Sequence, residues 1–490
     1  MKLVIFAILF FSLNIFANDT VFVKFNSDIK KFSAIEFSDC GINDYYKIPR
    51  TSYYAVKTEN SAKAVRCISQ NRSVKKVFAD EPMNISYKKA VPDPYLQNQW
   101  HFQNTGQTGI AGNDAKIIEA WNYLEELGIK PGLGVKIGLI DDAFDLHHPD
   151  MEGKFLKGRD VTNGSDYPYA HDNEPHGTCV AGVIAAVKDN GIGVAGACPF
   201  CRIVPVRASE ELGKAENMAN AFNYLLDRGV HVISNSWGPS DNSGPVEMPE
   251  IIAEIINFAR FEFRKGKGIV VFFAAGNGNE SISDPETFDG FAASPDVIAV
   301  GAVNASGSRS AYSDFGEDLD IVSPSSDVDA GYIWDPFAID LTSDGIWTVD
   351  ARWYYGYNQT DYTSTFGGTS SATPLVAAVA GLMISAYPDV TWDEIYEIIT
   401  ESADKIAPAD AGYDENGFSI YYGYGRINAV NALKTLCEKY ECAGGLEESK
   451  EEVYESYDQE IPDEGEFSEF PDDSMLPIEK YAYGCNITLF

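Results

Sequence analysis

"GVKIGLIDDAFDLHHPDM", residues 134–151, contains a short apolar run that stops on two adjacent aspartates, Asp141 and Asp142. The run from Val135 to Ile140 is nearly continuous in apolar character, which is the pattern of a strand covered on both faces in a parallel sheet. Burying ionisable groups is costly, and two like charges side by side repel. At the carboxyl end of such a strand, however, they stand where open α/β sheets place their chemistry. The surrounding sequence extends the sheet: "KIGLI", "RIVPVRA", "VHVISNSW" and "GIVVFFAAG" alternate with helical stretches between residues 95 and 442. That alternation predicts an α/β fold, a doubly wound and mainly parallel sheet.

Upstream, residues 18–89 read as a small α+β unit, with "TVFVKF", "SYYAVKT" and "VKKVFAD" as strands and "NSAKAVRCISQN" as a helix. "SYKKAVPDPYL" then reads as an exposed linker. Residues 1–17 have a basic tip, an apolar stretch and a small residue at Ala17, the form of a secretory signal peptide and not of a membrane span. Past it no run of eighteen apolar residues appears, so a soluble mature chain, secreted or periplasmic, is expected. Residues 443–490 are acidic and poor in aliphatics, as expected of a disordered or solvated tail.

Charge is unevenly spread within the formal net of −36. Residues 18–89 carry 13 basic against 8 acidic side chains, residues 90–442 carry 21 against 51, and residues 443–490 carry 2 against 14. A basic segment therefore precedes an acidic body, a balance that disfavours nucleic acid and favours cationic partners. Export permits disulfides, and six of the eight cysteines fall into neighbouring pairs: Cys40 and Cys67, Cys198 and Cys201, Cys437 and Cys442. For "ACPFC" a redox or zinc role stays open beside a plain bridge, although no second CxxC or nearby His pair supports zinc. Cys179 and Cys485 are left over, Cys179 as a buried small residue in an apolar helix.

Three more segments bear on the chemistry. "HDNEPHGTCVAGVIAAV" places His176 before a helix rich in small residues. "FGGTSSATPLVAAVAGLM" places Ser370 at a tight turn opening another helix, with Pro374 in its first turn. "GIVVFFAAGNGN" ends a buried strand on Asn277. Each alone reads equally well as a cap, a turn or a loop. Together, in the order Asp141, His176, Asn277, Ser370 and with their flanking residues, they resemble the subtilisin-like serine peptidases, whose triad runs Asp, His, Ser along the chain.

The resemblance covers roughly residues 18–440, and the chemistry it implies is coherent. Ser370 would be the nucleophile, His176 its general base and Asp141 the orienting carboxylate, while the Asn277 amide and the Ser370 N–H would stabilise the oxyanion. It implies an inhibitory propeptide at 18–89 and a peptidase domain at 90–442. Within the family, "SNSWGPSDNSGP" and "DPETFDGF" are similar to the kexin and proprotein-convertase branch, here without its P-domain. By that similarity Trp237, Gly238, Asp241 and Asp289 would border the pocket for the residue before the scissile bond (P1). Asp142, with Asp172 and Asn173, would face the next residue, P2. Polypeptides with basic residues would then be the substrates, and Lys88-Lys89 a site of self-cleavage. Ala219 and Ser243 are not acidic, so no strong P4 requirement is expected.

Structural calcium is implied as well. Asp93, Asp150 and Asn190, with the carbonyls of Val187, Ile192 and Val194, would form one cage. Asp241, Asp284 and Asp314 would form another, Asp241 sharing its oxygens with the P1 pocket. Two features depart from the family pattern: Ala143 stands where a glycine is usual, and Cys179 lies one turn after His176. A monomer is expected. Two alternatives remain at this level: a broad-specificity subtilase with an acidic body, and a non-catalytic binding protein that uses its acidic tail.

Overall fold

The computed structural model describes residues 19–26, 39–48, 50–80, 91–170, 174–208, 213–327, 344–352, 356–358 and 360–447. The expected signal peptide, the Lys88-Lys89 pair, Asp172, Asn173, Cys485 and the tail from residue 448 lie outside these residues. The chain divides into two compact units, one before residue 90 and one from it onward.

The first unit holds β1 (Asp19–Phe25), β2 (Ile42–Lys47), β3 (Tyr53–Thr58), α1 (Ser61–Ile68) and β4 (Val74–Ala79). Its antiparallel sheet runs β2-β3-β1-β4. Alternation in "TVFVKF" sends Val21, Val23 and Phe25 inward, where they meet Ala64 and Ile68 of α1. The Asn60 side chain caps that helix by accepting from Lys63 N at 2.8 Å. Strand β2, "INDYYK", was not anticipated. None of its residues is fully buried, so it carries no apolar period to read.

The second unit contains α2 (Ile117–Glu126), β5 (Lys136–Asp141), β6 (Arg159–Asp160), α3 (His176–Ala185), β7 (Arg202–Arg207), α4 (Ala215–Asp227) and β8 (Val232–Asn235). It continues with α5 (Glu250–Gly266), β9 (Val270–Ala274), β10 (Ile298–Val303), β11 (Ile321–Pro324), β12 (Ile346–Val349) and β13 (Tyr362–Phe366). Helices α6 (Thr369–Ala386), α7 (Trp392–Glu401) and α8 (Ala429–Lys439) complete it. The main sheet is parallel, in the order β11-β10-β9-β8-β5-β7-β6, and β12-β13 form a separate antiparallel pair. Both faces are covered, as the apolar strands require. Ile137, Leu139, Val232, Val270 and Phe272 pack with α3 and α6. Ile140, Val204, Ile233, Val271 and Phe273 pack with α4 and α5.

The winding direction changes at β5, which is flanked by β7 on one side and β8 on the other. Open sheets of this kind present their binding crevice at the carboxyl edge of such a switch point. Asp141 is the last residue of β5, and Asn235 the last of β8. Helix α6 has the length and mean hydropathy of a membrane-crossing helix, yet all eighteen of its residues are buried inside this unit. The three expected disulfides are formed, Cys40–Cys67, Cys198–Cys201 and Cys437–Cys442, so "ACPFC" is a bridge. Cys179 is a free, buried thiol.

Candidate active site

Strand β5 ends on Asp141, which is 2% exposed, and its Oδ1 lies 2.7 Å from Nδ1 of His176, the first residue of α3. The Asp142 backbone N–H donates to the same Oδ1 at 2.8 Å. A carboxylate on Nδ1 keeps the proton there and leaves Nε2 as the acceptor, the tautomer a general base needs. Gly177 makes this approach possible. A side chain there would collide with the Ala143 carbonyl and come within 2.9 Å of Asp141 Cβ.

Ser370 is the second residue of α6, 4% exposed, and follows Gly368, whose φ of 73° turns the chain sharply into the helix. Its hydroxyl donates to the Ser236 carbonyl at 3.1 Å, and the Ser236 hydroxyl donates back to the Ser370 carbonyl at 2.9 Å. The Ser370 hydroxyl would have to leave the Ser236 carbonyl before it could donate to the imidazole. The Ser370 N–H is one of the first amides of α6, which no intrahelical carbonyl can serve. The imidazole packs edge-on against Phe366, three residues before α6, with centroids 5.5 Å apart.

Asn277 follows β9 across Ala275 and Gly276. Its Oδ1 accepts from Thr369 N–H at 2.9 Å and from the Thr369 hydroxyl at 3.1 Å. Using the oxygen in this way fixes which face of the amide carries the N–H donors. They point away from Thr369.

The residues assigned to P1 are also brought together. Asp289, 7% exposed, accepts from Phe291 N at 2.8 Å and Ala292 N at 3.2 Å, and its Oδ2 lies 3.4 Å from where a side chain on Gly238 would begin. Burial pushes its carboxyl up to about 6 despite those two amides, with Glu280 adding to the rise. Asp241 accepts from Asn277 N at 3.2 Å. Asp314 accepts from Glu280 N at 2.9 Å, and burial, reinforced by Asp241, Glu280 and Asp289, pushes it up to about 8. Gly276 has to be glycine here, since a side chain would strike the Asp314 carboxylate. Glu280 thus joins this acidic group; the sequence reading missed it. Asp284 instead caps its own turn, accepting from Glu286 N at 2.9 Å. Trp237 directs its ring into the core, with Nε1 on the Ile140 carbonyl at 2.9 Å and the ring against Phe273 and Phe291.

Asp142 is 8% exposed and accepts from three backbone amides: Ala143 at 2.5 Å, His176 at 3.0 Å and Gly177 at 2.7 Å. Burial, then the Asp141 charge, pushes its carboxyl up to about 7, against the pull of His176 and the Gly177 and Ala143 amides. Elsewhere, Asp93 collects the amides of Asp189, Asn190 and Gly191 between 2.8 and 3.3 Å. Asp150 accepts from the Asn190 side chain at 2.7 Å and from Val194 N at 2.9 Å. Both carboxylates are buried. Among the described residues no group of three or more His, Cys, Asp or Glu side chains has metal-binding geometry, so a cation at Asp93 and Asp150 would depend on amide and carbonyl oxygens as well.

The sequence profile described as the subtilase family matches residues 132–425. A calcium-dependent protease of Trichormus variabilis is 34% identical over 411 residues, covering 79% of this chain and 58% of that protein. A kexin of Candida albicans is 31% identical over 365 residues, covering 72% of this chain and 35% of its own length. The chain thus spans 58% or less of these relatives. The solved serine protease of Aeromonas sobria superposes with a TM-score of 0.60 at 24% identity, over 74% of this chain and 71% of that one, a likeness of fold.

Proposed function

The chain belongs to the subtilase family, and from that membership we propose that it is a serine endopeptidase acting through Ser370, His176 and Asp141. The observation that carries this reading is the 2.7 Å contact between Asp141 and His176 Nδ1 at the carboxyl edge of the sheet, beside the helix whose first turn holds Ser370. His176 Nε2 takes the Ser370 proton as the hydroxyl attacks the peptide carbonyl, then returns it to the leaving amine. The Asn277 amide and the Ser370 N–H hold the oxyanion that forms.

The preferred substrates are polypeptides with a basic residue at P1 and, more weakly, at P2. Asp289 and Asp241, with Glu280 and Asp314 behind them, supply the P1 charge. Asp142 and Asp172 would face P2. Cleavage of a peptide library varied at P1 and P2 tests this. Lys or Arg at P1 should outpace Leu or Phe by about 10- to 100-fold, the worth of one charge-assisted hydrogen bond. Preference for an apolar P1 would remove the basic specificity and leave a broad-specificity subtilase.

The enzyme is made as an exported zymogen, secreted or periplasmic, and works as a monomer. Residues 18–89, more basic than the body, act as the inhibitory propeptide and are released by cleavage after Lys89. Opposite charge on the two segments favours their association.

Asp93, Asp150, Asn190 and the carbonyls of Val187, Ile192 and Val194 would hold structural calcium. The fit rests on two buried carboxylates with neighbouring backbone carbonyls, and Asn190 would have to turn its amide, since it now presents its NH2 to Asp150. The cation would fix the 187–194 loop against Asp93 and take no part in bond cleavage. Chelation is expected to lower Tm by about 4 °C, as loss of a site saturated about a hundredfold above its Kd would in a unit of this size. Calcium, and not magnesium, should restore it; a Tm indifferent to chelator would dismiss the site.

A further inference from the structure

The P2 assignment leaves the contacts of Asp142 unexplained. Helix α3 begins at His176, so the imidazole is carried by the first residue of a helix whose ten residues are all buried. The preceding residue, Pro175, offers no side-chain acceptor. The first amides of α3 therefore have neither water nor a cap of their own. The chain answers from elsewhere: Asp142 Oδ2 accepts from His176 N–H at 3.0 Å and Oδ1 from Gly177 N–H at 2.7 Å.

We propose that Asp142 is a positioning residue for catalysis: its carboxylate caps the helix that carries His176 and so fixes the imidazole relative to Asp141. This rests on the peptidase reading above. Two consecutive side chains of a strand point to opposite faces, so both aspartates can reach α3 only because β5 ends at Asp141. Asp141 then holds the ring of His176 and Asp142 its backbone. The hold continues into the chain after the strand, where Asp142 Oδ1 also accepts from Ala143 N–H at 2.5 Å. A negative charge at a helix N-terminus is favourable in itself, which offsets part of the repulsion between the two aspartates. A basic P2 side chain reaching this carboxylate would bind where the histidine is anchored.

The test uses the full-length enzyme with Asp142→Ala, Asp142→Asn and Asp142→Ser, and two peptides that differ only in Lys or Ala at P2. Inactivation by a sulfonyl fluoride, which has no P2 residue, reports separately on the Ser370–His176 pair. For Asp142→Ala, kcat should fall about 100-fold on both peptides with KM within about threefold, the scale of a roughly 1 Å misplacement of a catalytic group. Sulfonyl fluoride inactivation should slow in parallel, and Asp142→Asn, whose single amide oxygen can serve only one of the two helix amides while its NH2 opposes the other, should recover part of the loss. Asp142→Ser, with one acceptor, should lie between them and keeps the test decisive if the alanine variant does not fold. A loss confined to the Lys peptide and expressed in KM would overturn the proposal, as would wild-type kcat in Asp142→Ala. A wild-type enzyme that neither cleaves nor reacts with the sulfonyl fluoride would instead overturn the peptidase reading.

Discussion

Ser370→Ala protein is expected to keep its fold and lose kcat on the order of 10⁶-fold, the scale known for removing this nucleophile in a subtilisin. The hydroxyl donates one hydrogen bond, to the Ser236 carbonyl, so its removal should cost little stability. Activity on the best peptide of the P1 series and the melting temperature together decide the point. Residual turnover above about a thousandth of wild type, well beyond what oxyanion binding alone leaves, would remove Ser370 from the nucleophile's role. The same variant separates self-processing from processing by another protease. Wild type should begin at Ala90, and the variant should retain residues 18–89. If both begin at Ala90, the propeptide is cut in trans and the nucleophile assignment stands untouched.

Asn277→Ala is expected to lower kcat by about 10²- to 10³-fold with little change in KM, the scale known for the corresponding donor in subtilisin. The split follows from what the amide is built to meet. Its oxygen is already used by Thr369, so in the proposed role its N–H groups would meet charge that exists only once the carbonyl has been attacked. Steady-state kinetics on one peptide are sufficient. A change in KM with kcat held within about threefold would make Asn277 a substrate-binding residue and no part of an oxyanion hole. Loss of the Asn277 oxygen also frees the Thr369 amide at the start of α6, so a modest fall in Tm should accompany the kinetic loss.

The sequence was most informative where a buried strand ends on polar groups. "KIGLIDD", "GIVVFFAAGNGN" and "FGGTSSATP" combine an apolar period with a terminus, which located Asp141, Asn277 and Ser370 and made a doubly wound sheet readable. What was hidden depended on where the chain turns next. Nothing in "LIDDAF" says that Asp142 will swing onto the amides of His176 and Gly177, because those contacts join residues more than thirty positions apart. Glu280 lies in the loop "GNGNESISDPETFDG", where polar residues have no period to betray which one faces inward. Its carboxylate accepts from the Asn242 N–H beside Asp241, and its own N–H donates to Asp314. Asp284, in the same loop, turns back on Glu286. The strand expected through Trp237 ends at Asn235, two residues short of it, and the direction of the ring follows from the space between Phe273 and Phe291, which the sequence around Trp237 does not show.

Helix α6 has a consequence for how such a molecule fails. Its eighteen buried residues place it among the segments whose amides exchange with solvent only when the whole unit opens. Ser370, the proposed nucleophile, is fastened to the first turn of that segment, not to a loop that could loosen by itself. Heating should therefore not yield a partly unfolded species that has lost catalysis while keeping its core, or one that keeps cleaving while its core is molten. Inactivation and exchange of the α6 amides would follow a single clock.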